Sequence, residues 1–199
     1  MKIWTTAASI GVLAGFAASA VADHDHGSRQ RIFRAHMVGY NEVRSASRPA
    51  KGTFYAILNK DGNGFTYWLT YSDLQFDVSQ SHIHFGQHHQ NGGISVWLCR
   101  TTTLPNPPPA GAGDVPLCGG PRSGSVTGSI VASEVVGPAG QGIAPGEFAE
   151  LLAAMRSGAA YANVHSGVAG IPADPTAMPP VPATAPIGFP GPPAIQRGR

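Results

Sequence analysis

The 199 residues carry 13 Lys and Arg against 11 Asp and Glu, a formal net charge of +2 with His neutral. The basic residues are scattered, with Arg29, Arg31, Arg34 and Arg44 towards one end and Arg197 and Arg199 at the other. No basic stripe with interleaved aromatics is present, so nucleic acid is not an expected partner, and the length suits one domain of ordinary size.

The chain opens "MKIWTTAASIGVLAGFAASAVA", with one Lys, an apolar run and small residues in an A-x-A arrangement. This reads as a secretory signal peptide over 1–22, cut after Ala22, with Ala20 as the second choice. Its apolar core is too short for a membrane span, and no later stretch reaches transmembrane length. A secreted or periplasmic protein is expected. Residues 23–31 read as a flexible His- and Asp-bearing segment, in which His24 and His26 could hold a metal ion only loosely.

Alternation with period two then dominates. Phe33, Ala35 and Met37 alternate with Arg34, His36 and Val38, a half-buried strand in which His36 is structural. Thr53–Asn59 and Phe65–Tyr71 read as the arms of a hairpin around Asp61-Gly62-Asn63-Gly64, with Phe65, Tyr67, Leu69 and Tyr71 on one face. "SHIHF" and "ISVWLC" are two further strands. In the second, strict alternation sends Ile94, Val96 and Leu98 one way and Ser95, Trp97 and Cys99 the other. Two cysteines in an exported chain predict a disulfide between Cys99 and Cys118, contributing about 3 kcal/mol in the chain-entropy model. "SGSVTGSIV" is another strand.

One helix is expected in "APGEFAELLAAMRSG". Phe148, Leu151 or Leu152, and Met155 recur at helical spacing, with Pro145 near the start, Arg156 in the last turn and Gly158 just beyond. Its apolar stripe serves to pack it on the sheet. "AAYANVHS" returns to a strand. Residues 167–199 are rich in Pro, Gly and Ala without periodicity, which predicts a disordered or extended tail. The fold class is all-β, an antiparallel β-sandwich or partial Greek-key barrel with one short helix, over residues 32–166.

Four of the eight histidines fall within Ser81–Gly93. On a strand His82 and His84 share a face about 7 Å apart, which suits chelation of one ion. His165, at the end of a distant strand, is the candidate third ligand. Neutral imidazoles suit copper or zinc, and the cluster holds no Asp or Glu for calcium or magnesium. His88 and His89 precede a "QNGG" turn and are read as peripheral, solvated residues. The carboxylates Asp73, Asp77, Asp114, Glu134, Glu147 and Glu150 form no acid/base pair, and no G-x-S-x-G elbow, P-loop or dinucleotide fingerprint appears. A non-enzymatic interaction module with structural histidines and a protein partner is the alternative to a metal-binding protein.

"FRAHMVGYNEV", "KGTFYAILNKDGNGFTYWLTYSDL", "SHIHFGQHHQNGGISVWLC" and "EFAELLAAMRSGAAYANVHS" together resemble the CHRD domain, the family named after chordin and common in exported bacterial proteins. The resemblance spans Ile32 to Ser166. Its most specific pieces are Gly39-x-Asn41-Glu42-Val43, His82-x-His84 followed by Asn91-Gly92, and Tyr161-x-Asn163-Val164-His165. In animal chordin the domain belongs to a secreted growth-factor antagonist, and the resemblance implies no settled activity for a bacterial member. The H-x-H strand with a late Val-His strand is also similar to the copper half of Cu,Zn superoxide dismutase. That likeness implies copper-ligand positions at His82, His84 and His165 and, as a further alternative, a dismutase-like redox enzyme. The dismutase's bridging histidine and zinc ligands have no counterparts here. From Gly167 the chain departs from the family's Gly-Gly-Glu-Ile-Arg-Gly type of closing segment, which implies an open sheet edge beside the histidine face.

Overall fold

The computed structural model describes residues 30–42, 47–87, 90–102 and 107–167, and the backbone of 183–186. The expected signal peptide, His24, His26, His88 and His89 lie outside the described residues.

The strands are β1 (Ile32–Val38), β2 (Lys51–Leu58), β3 (Gly64–Ser72), β4 (Val78–Phe85), β5 (Gly93–Arg100), β6 (Gly124–Val131), β7 (Ala160–Ser166) and β8 (Ala183–Pro186), with one helix, α1 (Phe148–Ser157), before β7. They are hydrogen-bonded in the order β5-β4-β7-β8-β1-β2-β3-β6, and the ladders between them are antiparallel. The run does not close into a barrel, since β5 and β6 are its two ends. It folds over on itself as a sandwich. Phe33, Phe54, Phe65 and Tyr67 of one half share a core with Ile83, Val96, Leu98, Ala162 and Val164 of the other. Between the layers the Tyr67 hydroxyl donates to the Leu98 carbonyl at 2.6 Å, which gives the buried phenol its polar partner.

The alternation read from the sequence decides which side chains enter this core. Phe33, Ala35 and Met37 are buried while the residues between them face outward. The β2–β3 hairpin forms as expected, with Gly62 at φ 74° in its turn. In α1, Phe148, Leu151, Leu152, Ala154 and Met155 are buried, and Gly158, in the left-handed region at φ 74°, ends the helix.

Two expectations need correction. Strand β5 does not alternate strictly. Cys99 pairs with Ser81, Trp97 with His82, Val96 with Ile83 and Ile94 with His84, so Leu98 and Ser95 are extra residues at two bulges. Cys99 therefore joins Val96 and Leu98 in the main core, and Ile94 moves to the Trp97 side. Each bulge shifts the register by one residue, and no pattern of residue types announces that. The second correction concerns the edge beside the histidines. Ala183–Pro186 inserts between β7 and β1, pairing Val164 with Ala183, Tyr161 with Pro186 and Val38 with Thr184. The Pro-rich segment thus supplies a closing strand in place of the expected open edge. Backbone pairing carries so short a strand, so apolar periodicity gives no sign of it.

The Cys99–Cys118 disulfide is formed, with Cα atoms 5.0 Å apart. The Cys118 amide also donates to the Arg100 carbonyl at 2.9 Å. This ties the segment before Cys118 along β5, where Ala112 and Val115 pack on Trp97 as a second, smaller core.

Candidate metal centre

Strand β4 points Ile83 into the main core, which leaves His82 and His84 on the opposite face. Across the ladder to β7, Gln80 pairs with His165, His82 with Asn163 and His84 with Tyr161. His165 is thus the diagonal neighbour of His82, which is how a residue 83 positions later in the chain reaches the pair. One ligand atom from each of His82, His84 and His165 lies within 4.8 Å of the others. Ring centroids are 5.4 Å apart for His82–His84, 5.3 Å for His82–His165 and 6.1 Å for His84–His165. At that limit each nitrogen is about 2.8 Å from a common centre, so movements of roughly 0.7 Å would bring all three to the ~2.0–2.1 Å of a zinc- or copper-type bond.

The second ring nitrogen of His84 fixes its tautomer. His84 Nδ1 lies 2.9 Å from the Gly92 carbonyl, which can only accept, so Nδ1 carries the proton and the Nε2 lone pair is free for a metal. The Gly92 amide in turn donates to the Tyr161 hydroxyl at 2.8 Å, and the Tyr161 ring stacks on His84 at 5.0 Å with an interplanar angle of 3°. A side chain at Gly92 would collide with the Phe85 carbonyl, so only glycine allows this approach. The "NGG" turn is therefore a clamp on His84.

His82 is fully buried, with Trp97 edge-on at 4.2 Å between ring centroids. Neither of its ring nitrogens has a hydrogen-bond partner among the described residues, nor has His84 Nε2. Asn163 Oδ1 and Gln80 Oε1, on the same face, are also buried without a well-formed hydrogen bond among the described residues. Each such atom costs on the order of 1–3 kcal/mol. Several of them gathered on one sheet face suit a site built for an ion.

Burial holds all three imidazoles in the neutral, ligand-ready form. It pushes the His82 pKa down to about 2, with His165 and then His84 adding repulsion. His165 falls to about 3 through burial and then His84. Burial also lowers His84, against the opposing pull of the Gly92 carbonyl and the Asn163 side chain. His165 keeps partial contact with solvent. His36 lies exposed on β1, apart from the group. Asp73 and Asp77 are engaged in exposed ion pairs with Lys51 and Arg122.

His82, His84 and His165, the residues expected from the sequence to converge, lie together in the fold. The sequence alone did not identify Trp97, Tyr161, Asn163 and Gly92 as their surroundings. For Tyr161 and Asn163 the signal was available, since they alternate with His165 along one strand.

A scan against protein-family models matches the CHRD domain over residues 33–169, more than half of the chain. No curated protein and no solved structure gives a significant match.

Proposed function

The chain belongs to the CHRD domain family, and on that footing we propose that it is an exported protein that binds a transition metal, copper ahead of zinc, through His82, His84 and His165. The observation that carries this reading is the convergence of three neutral imidazoles whose nitrogens lie within 4.8 Å, two of the rings presenting buried nitrogens without partners. His82 and His84 would hold the ion from β4 and His165 from β7. Gly92 and Tyr161 would keep His84 in the tautomer that offers Nε2. A bound transition metal would supply Lewis acidity or, as copper, a one-electron couple. The role favoured is binding or buffering, not turnover.

Export is supported by the signal-like residues 1–22 and by the disulfide, which persists in oxidising compartments. Among the described residues no helix is long and apolar enough to cross a membrane. The test is elemental analysis of the exported protein after copper or zinc challenge and dialysis, beside His84→Ala. Near-stoichiometric metal in the parent and none in the variant supports the proposal. Metal in neither returns the histidines to a structural role and favours a protein-interaction module.

A further inference from the structure

Resting on the metal-binding reading, we infer that the pocket selects by charge, holding copper as Cu(I) in preference to Cu(II) or Zn(II). The ligand group is three imidazoles with no carboxylate or thiolate in it. Whatever charge the ion brings is therefore the charge of the ion and its three ligands together. On the His82 and His84 side the surroundings are poor at solvating it. His82 is fully buried and His84 is 8% exposed. The Trp97 ring stands against His82 and the Tyr161 ring lies flat on His84. Strand β8 runs alongside β7 on the flank. The buried acid Glu42 acts electrostatically on Tyr161 and is not one of the ligand group. The cost of burying an ion grows with the square of its charge, so a divalent ion costs roughly four times what a monovalent one does in the same pocket.

Coordination number points the same way. Cu(II) prefers a tetragonal set of donors and zinc a tetrahedral set of four. The described residues bring three nitrogens together, a set that satisfies d¹⁰ Cu(I) without a further ligand. The buried oxygens Asn163 Oδ1 and Gln80 Oε1 are neutral acceptors on the same face. They can take the N–H of a ligating ring, and they add no countercharge.

The experiment is an anaerobic titration of the full exported protein with Cu(I) against the competing chelator bicinchoninate. Cu(II) and Zn(II) competition titrations run in parallel, with the copper reduction potential followed through the Cu(II) spin signal. The expected result is Cu(I) bound at least a hundredfold more tightly than Cu(II), which raises the potential by about 120 mV over aqueous copper at 59 mV per tenfold. Asn163→Asp sets a carboxylate directly opposite His82, and its preference for Cu(I) should fall at least tenfold. Should that variant fail to fold, Gln80→Glu, half-buried opposite His165, makes the same test. Cu(II) or Zn(II) bound as tightly as Cu(I), or an unchanged preference with the added carboxylate, overturns the inference and leaves the metal-binding reading standing. No uptake of any of the three ions overturns both.

Discussion

Replacing His82 with Leu should separate the stability of the metal-free protein from its metal binding. The imidazole is fully buried against Trp97, and neither of its nitrogens has a partner among the described residues. Leucine removes both polar atoms and keeps most of the apolar volume beside Trp97 and the strand backbone. Each unpartnered atom costs about 1–3 kcal/mol; imperfect repacking of a flat ring by a branched chain returns up to about 1.5 kcal/mol. With two such atoms saved, about 2–6 kcal/mol, the balance favours the variant by about 0.5–6 kcal/mol, at roughly 2–4 °C in Tm per kcal/mol for a domain of this size. Thermal unfolding of chelator-treated parent and variant measures this directly. Copper at a hundred times Kd should then stabilise the parent by about 2.7 kcal/mol and leave the variant unmoved, so the order of stability narrows or inverts. A metal-free variant that melts well below the parent would refute the reasoning, because the imidazole would then be a satisfied structural group. So would a variant that copper still stabilises.

Acid should weaken the metal-free protein. The folded-state pKa values of His82 and His165 lie at about 2 and about 3, below the ordinary 6.5, so below pH 6.5 the unfolded chain takes up protons that the folded one refuses. Stability then falls by up to about 1.4 kcal/mol per pH unit for each histidine; urea unfolding at pH 7 and pH 5 checks it, and His82→Leu should show the shallower slope. Gly92→Ala places a methyl group against the Phe85 carbonyl, displacing the carbonyl that orients His84, and copper affinity should fall about 10–100-fold in a competition titration. Cys99→Ser with Cys118→Ser releases the segment that covers Trp97. Stability should drop by about 3 kcal/mol in urea, with Trp97 fluorescence shifting towards that of an exposed indole.

What the sequence made legible was what period two carries. His82 and His84 fall on one face of β4, and His165 ends a strand with the same alternation, so an antiparallel pairing that sets Asn163 opposite His82 brings them together, and a one-residue slip would not. The β1 and β3 core faces and the α1 stripe follow from the same reasoning. What remained hidden depends on single-residue shifts and on backbone pairing. The bulges at Ser95 and Leu98 turn Ile94 towards the histidine face and Cys99 into the core, and no residue type marks them. The clamp at Gly92 is a matter of carbonyl placement. Strand β8 is four residues held by backbone hydrogen bonds on both sides, in a segment whose composition suggests no strand at all.

The most direct test of the metal centre is a crystal structure of the copper-loaded protein with anomalous scattering recorded at the copper edge. The account predicts a single strong peak between β4 and β7, about 2.0–2.1 Å from a nitrogen of each of His82, His84 and His165, with the His84 Nδ1 contact to Gly92 retained. A peak elsewhere on the chain, or none at the three imidazoles under saturating copper, would contradict it.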